Sequence, residues 1–289
     1  MTDAAGPFIT TCARTDIGMR RQNNEDAFLL VDLDTPQTPM ACDGARHDFA
    51  HKRLLLAVSD GMGGHAGGEV ASNLALTTLA QSLVAPNNLP LPNQLDAAVH
   101  AANAAVLAAA SNTHRQGMGA TLTAVLIVEQ TAWIAEVGDS RAYLLRNGRL
   151  RQLTKDQSFV QMLIDTGTMT EDEAKESSRR NVILQAVGTD KTLRVELGRL
   201  EMRRGDRLLL CSDGLTNEVD DNELASLLSK YEPAVACEHA IRRANKHGGK
   251  DNVTAIIAVL DGDALPAAPM DETITGTHHV IQTYYPTPR

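Results

Sequence analysis

The sequence predicts an α+β domain in which antiparallel sheets carry helices on their outer faces. Three observations lead there. Apolar residues recur with period two through the middle of the chain and again near its end. The strand-like runs are joined by short turn signals, not by the helices that parallel strands need. The helical segments come in two pairs, one after the first strand block and one before the last strand.

The first strong apolar run, 54–58, ends in Ser59-Asp60-Gly61-Met62-Gly63-Gly64. The polar, proline-containing stretch before it, 34–53, reads as a long loop. Val70, Leu74, Thr77 and Thr78 fall at helical spacing and predict a helix over 69–84, stopped by Pro86, with Pro90 and Pro92 marking a linker. Asn93 is placed to cap a second helix running through Ser111, built largely of alanine, the best helix former. The period then shortens. Runs at 121–128, 132–137, 141–145 and 149–153 read as short strands, divided by Glu129-Gln130, Gly138-Asp139-Ser140 and the hairpin signal Asn147-Gly148. The polar stretch 157–180 is helix-prone, with Thr170 and Glu173 spaced as a capping box. Strands are expected at 195–202 and 207–211, helices at 222–230 and 233–247, and a last strand at 253–260. The threonine- and proline-rich remainder, 262–289, shows no period and reads as a disordered tail behind a single domain over 1–261.

A chain of 289 residues can bury a substantial core without crosslinks, and 43% apolar with 22% charged residues excludes wholesale disorder. The formal charge of −9, with no basic block, argues against binding nucleic acid. No apolar stretch is long enough to span a bilayer, and the polar start lacks a signal-peptide core. Cys12, Cys42, Cys211 and Cys237 are far apart in sequence and form no CxxC pair, which argues against both a zinc ribbon and a disulfide scaffold. A reducing cytoplasm is the expected compartment.

The informative feature is where the acids sit. Asp60, Asp139 and Asp213 each close an apolar run, Asp251 opens one, and Glu25-Asp26 precedes another. Any one of them is an ordinary turn residue. Five on separate strands suggest a site for a hard cation, because carboxylate oxygens without histidine or cysteine suit Mg²⁺ or Mn²⁺ better than zinc. Two carboxylates about 4 Å apart repel by about 4 kcal/mol at an effective dielectric near 20, so convergent acids need counter-charge or protons.

Five motifs occur in order: Arg21-Gln22-Asn23-Asn24-Glu25-Asp26-Ala27, Asp60-Gly61-Met62-Gly63-Gly64, Gly138-Asp139-Ser140-Arg141, Ser212-Asp213-Gly214 and Gly249-Lys250-Asp251-Asn252. Together they resemble the metal-dependent protein Ser/Thr phosphatases of type 2C, particularly the compact bacterial members, from about Thr10 to Leu260. The resemblance implies a central antiparallel β-sandwich flanked by helix pairs on both faces. It implies two Mn²⁺ or Mg²⁺ ions held by Asp26, Asp60, Asp213 and Asp251 with the Gly61 carbonyl, and a third, weaker ion at Asp139 with Asp213. Arg21 matches the arginine that grips the substrate phosphate, and Glu25 a residue that holds a metal-bound water. The implied reaction is hydrolysis of phosphoserine and phosphothreonine by a metal-bridging hydroxide.

Some members carry a histidine after the Asp-Gly; here the position is Met62, which points to a metal-bound water as the acid, and His65, three residues on, is either a substitute acid or, the favoured reading, a plain surface histidine. Gln157 stands where relatives often have histidine, and Asn217 where some have aspartate. The segment 158–180 matches a flap beside the active site, or else is a plain surface helix pair. The implied partners are phosphorylated Ser/Thr proteins, including a eukaryotic-like bacterial Ser/Thr kinase and its substrates, and the implied state is a monomer. A catalytically dead phosphoprotein-binding scaffold and a small-molecule phosphomonoesterase are the competing readings. The scaffold would be expected to have lost a ligand.

Overall fold

The computed structural model describes residues 6–36, 40–63, 67–111 and 117–285. In chain order the elements are β1 (Phe8–Asp16), β2 (Asp26–Asp32), β3 (Asp43–Asp48), β4 (Arg53–Met62), α1 (Gly67–Val84), α2 (Leu91–Ala110), β5 (Gly119–Ala120), β6 (Leu122–Val128) and β7 (Thr131–Val137). Then come β8 (Arg141–Arg146), β9 (Arg149–Gln152), α3 (Phe159–Asp165), α4 (Glu171–Glu176), β10 (Glu196–Glu201), β11 (Arg207–Cys211), α5 (Asp213–Thr216), α6 (Asp221–Lys230), α7 (Pro233–His247), β12 (Val253–Asp261) and β13 (His278–Gln282). One sheet runs β3-β1-β12-β11-β8-β9 and the other β13-β10-β7-β6-β4-β2, with β5 paired to β4. The named strand pairings are antiparallel.

Three apolar layers hold these elements together. Leu54, Leu56 and Val58 of β4 join Leu208, Leu210, Ile256 and Ala258 between the sheets. The alternate residues Leu55 and Ala57 point to the outer face, where α1 and α2 cover them. On the far side, Leu209, Cys211 and Ile257 meet α6 and α7. Strands buried on both faces read as unbroken apolar runs, which is why 54–58 was so conspicuous. Packing of α1 uses Ala71, Ala75, Leu79 and Leu83 as its buried stripe, while Val70 and Leu74 lie at its margin. Hairpin β8–β9 turns through Asn147 and Gly148, both at positive φ (51° and 72°), the conformation that a type I′ turn requires.

Three expectations change. The supposed loop 34–53 contains β3, whose residues are exposed or half-buried; it forms on the open edge of β1, where Arg46 covers the Phe8 ring at 3.3 Å. Strand β1 itself carries no apolar run. Helix α2 starts at Leu91 and has no side-chain cap; Pro90 and Pro92 lie at its start, where a missing N–H costs nothing, so Asn93 is not its cap. The third is the tail, expected to be disordered beyond 261.

Leu265 and Ile274 are buried in the inter-sheet core, and β13 adds an edge strand to β10. Between them Glu272 reaches the buried Arg146 (3.0 Å), which also forms two bonds to Asp206 (2.7 and 2.6 Å) and one to Thr277 (2.7 Å). The folded body therefore extends past 261. Burial of two apolar side chains and neutralisation of Arg146 anchor a segment whose composition alone gave no sign of order.

Candidate active site

The acids at the strand ends converge at one end of the sandwich. Strands β2 and β4 pair so that Asp26 lies directly across from Asp60. Residues opposed in this way have Cα atoms about 4.5–5.5 Å apart, so the register sets two carboxylates side by side. The β11–α5 corner brings in Asp213, and the turn into β12 brings in Asp251. Two glycines make the approach close enough. A Cβ on Gly61 would collide with the Gly68 carbonyl and come within 2.6 Å of the Glu25 carbonyl oxygen, and one on Gly214 would collide with the Asn252 carbonyl.

Burial and mutual repulsion raise these acids above the usual carboxylate range. Asp26, 6% exposed, is pushed up to about 7 by burial, with Asp213 and Asp251 adding to it against hydrogen bonds from Ser212 and Thr254. Asp213 is pushed up to about 6 by burial and then by Asp251, with hydrogen bonding, including from Asn217, opposing. Asp60 rises well above its ordinary value through burial and the charges of Asp26, Asp213, Asp139 and Asp251. Asp139 does the same through burial, Asp213 and Asp156, with Arg141 opposing. Glu25 rises by burial while Arg21 pulls it down. Arg21, half exposed, holds Asp251 at 2.6 Å.

The surrounding hydrogen bonds fix geometry without supplying charge. Ser212 Oγ donates to Asp26 Oδ2 at 2.7 Å. Asn217 Nδ2 donates to Asp213 Oδ2 at 2.9 Å, so the residue standing where some relatives have aspartate orients the acid instead. Asn252 accepts from the Glu25 backbone N–H (2.8 Å) and donates to the carbonyls of Ile17 and Asn23, which ties the Arg21–Glu25 loop to β12. Thr121 links the Asp60 backbone N–H (2.8 Å) to Ser140 (2.7 Å), and so β4 to the Asp139 turn. The buried Gln157 accepts from Gly138 N–H and donates to the Glu136 carbonyl, bracing that turn from behind. Reading the sequence assigned no role to Ser212, Asn252 or Thr121; the first two lie inside quoted motifs, but nothing in sequence marked Thr121.

Among the described residues, no three acidic, histidine or cysteine side chains close into a complete metal cage. A hard cation nevertheless fits. Asp26 Oδ1 and Asp213 Oδ1 are buried without a hydrogen-bond partner, and an orphaned buried carboxylate oxygen is costly unless a cation meets it. The donor set is all oxygen. Met62, at the end of β4, has no proton to give, and His65 lies outside the described residues. The segment 158–180 forms α3 and α4; α3 buries none of its residues and α4 only Ala174, and both bonds of the Thr170–Glu173 capping box are present.

The protein phosphatase 2C family profile matches residues 22–262, and the chain belongs to that family. It is 42% identical over 253 residues to the serine/threonine protein phosphatase PstP of Mycobacterium tuberculosis, covering 87% of this chain and 45% of that protein. The chain thus spans about half the length of that curated relative. The serine/threonine phosphatase stp of Listeria monocytogenes is 35% identical, with 86% of this chain and 94% of stp covered. The crystal structure of M. tuberculosis PstP matches with a TM-score of 0.76 at 40% identity, covering 88% of this chain and 99% of that one. The PstP catalytic domain in complex with two manganese ions matches with a TM-score of 0.73 at 39% identity, over 88% and 99% of the two chains.

Proposed function

We propose that the chain is a Mn²⁺/Mg²⁺-dependent protein Ser/Thr phosphatase, with Asp26, Asp60, Asp213, Asp251 and the Gly61 carbonyl holding two ions, and Asp139 with Asp213 holding a third. The observation that carries it is the convergence of these acids, two with orphaned buried oxygens, beside a half-exposed arginine. Divalent ions there would offset the repulsion, lower the pKa of water and draw electron density from the phosphate oxygens.

The chain's own residues do the rest. Arg21 leaves Asp251 to grip the phosphate, its planar fork matching two oxygens in a way lysine could not. Asn217 and Ser212 hold Asp213 and Asp26 in orientation. Glu25, positioned by Asn252, accepts a hydrogen bond from the attacking water. As the water oxygen bonds to phosphorus, the P–O bond to the serine or threonine oxygen breaks. With Met62 unable to act, that oxygen takes a proton from water, while the attacking water gives up its own proton to solvent through Glu25, leaving the free hydroxyl and hydrogen phosphate. No protein nucleophile is called for: Cys211 is buried and its thiol is pushed well up by that burial.

The full set of acids favours an enzyme over a phosphoprotein-binding scaffold. Phosphorylated Ser/Thr proteins, including a eukaryotic-like Ser/Thr kinase and its targets, fit the reading as substrates, acted on by a monomer in the cytoplasm. Free cysteines are consistent with that compartment, and no described helix is long and apolar enough to cross a membrane. The catalytic residues all lie within 1–261. The decisive experiment is release of phosphate from p-nitrophenyl phosphate and from phosphothreonine peptides with Mn²⁺. Turnover that EDTA abolishes supports the reading; no turnover with any divalent ion leaves the scaffold. Turnover of p-nitrophenyl phosphate alone, with phosphopeptides refused, points to the small-molecule phosphomonoesterase.

A further inference from the structure

A groove of about 710 Å³ runs from Asp139 and Asp213 between the 158–180 segment and the start of α6. Eight carboxylates and three cationic side chains line it. Five of the carboxylates have evident employment. Asp139 and Asp213 belong to the acidic centre, and Asp156 takes both prongs of Arg141 at 2.8 and 2.6 Å. Glu218 faces Lys250 at 3.1 Å and Glu223 faces Arg243 at 2.8 Å. The other three are Glu171 on the wall formed by 158–180 and Asp220 and Asp221 on the opposite wall. None of them has a cationic partner among the described residues.

Helix dipoles explain part of this. Glu171 and Asp221 lie in first helical turns, and Asp220 caps α6 by accepting from the Glu223 N–H at 2.9 Å. That accounts for each acid on its own helix, but not for two helices presenting acids to one groove from opposite sides. The lining cations do not offset them. Arg141 is taken by Asp156 and Lys175 lies 3.2 Å from Asp172, leaving only Arg180 without a carboxylate. The groove opens directly onto the acidic centre, since Asp139, only 8% exposed, lines it together with Asp213.

Resting on the phosphatase reading, we propose that this groove selects phosphoprotein segments with arginine or lysine near the phosphorylated residue, and that Glu171, Asp220 and Asp221 determine that preference. The groove begins at the same aspartates that would face the phosphate. An extended chain advances about 3.3–3.6 Å per residue, so a substrate entering it lays its first few flanking positions along these walls. Basic flanks offset the repulsion between an acidic protein and a phosphorylated segment, which acidic flanks would increase.

The test uses the full chain with Mn²⁺ and labelled peptides carrying a non-hydrolysable phosphonate in place of phosphothreonine, with arginine or glutamate walked through each flanking position. Fluorescence anisotropy should show arginine-flanked peptides binding about five- to ten-fold tighter at the best position, with the gap narrowing in high salt. In the Glu171→Gln/Asp221→Asn double variant, checked for folding by its melt, the ratio of the two Kd values should fall towards one. Equal Kd values in the wild type, or a ratio unmoved in the double variant, overturn the proposal. Hydrolysis of p-nitrophenyl phosphate, which has no flanks, is scored separately. Its loss defeats the phosphatase reading, whereas its presence without a flank preference defeats only the groove.

Discussion

At one end of the sandwich Arg146 lies buried between Asp206 and Glu272, with every charge met by a partner. At the other end, of Asp26, Asp60, Asp213 and Asp251 only Asp251 is ion-paired among the described residues, with the half-exposed Arg21. The same strands build both. Strand β11 is preceded by Asp206 and followed by Asp213, and β8 is preceded by Asp139 and ends in Arg146. Burial raises the Asp206 carboxyl too, but there Arg146 and Arg203 pull against it, while at the far end the neighbouring acids push the same way as burial. A fold that can neutralise buried acids with arginine at one end, and does not at the other, keeps the second end open to a cation from solution. The difference separates a structural ion-pair network from a site built for function.

Breaking the open end should have the largest effect, and on activity. Asp213→Ala should lower phosphatase turnover by about a thousand-fold, roughly 4 kcal/mol of transition-state stabilisation, while leaving the EDTA-treated melt unchanged or higher because one repelling charge is gone. Unchanged turnover would refute the metal assignment. At the closed end the signs reverse. Arg146→Ala leaves Asp206 buried without its partner and should cost about 3–5 kcal/mol in urea unfolding; a loss under 1 kcal/mol would mean that the network is not what holds the tail.

Acidity sharpens the contrast. Asp26 and Asp213 have folded values near 7 and 6 against an unfolded 3.8, so without metal the folded state holds more protons between those limits. Their contribution to stability is therefore present below about pH 4 and is lost as pH rises through 6 and 7. In EDTA the melting temperature should fall by several degrees from pH 5 to pH 8, and millimolar Mn²⁺ should restore more at pH 8 than at pH 5, since binding displaces protons. A Mn²⁺ shift independent of pH would count against a carboxylate centre. The smallest change expected is Glu272→Gln, which keeps the shape but removes the charge from one arm of Arg146. It should cost about 1–2 kcal/mol and raise proteolytic cleavage after 262, whereas a silent variant would show Asp206 sufficing alone.

Much of this was legible beforehand, for identifiable reasons. Strand β4 declared itself because both its faces are buried, and the β8–β9 hairpin because Asn147-Gly148 suits two positive φ angles. The site acids stood out because each sits where an apolar run stops. Strand β3 was hidden because an exposed edge strand has no apolar pattern; its stability comes from pairing with β1. The tail was hidden because its order depends on Arg146, more than a hundred residues away in the chain.

Local chemistry therefore fixed which residue types stand at the strand ends and how the chain is punctuated, since period, turn preference and charge are properties of neighbours in sequence. Tertiary structure alone decided that Asp26 faces Asp60, that Asn252 holds Glu25, that the tail closes the far end and that acids on two separate helices share one groove. Those are matters of register and packing between distant segments, and no short stretch of chain encodes them by itself.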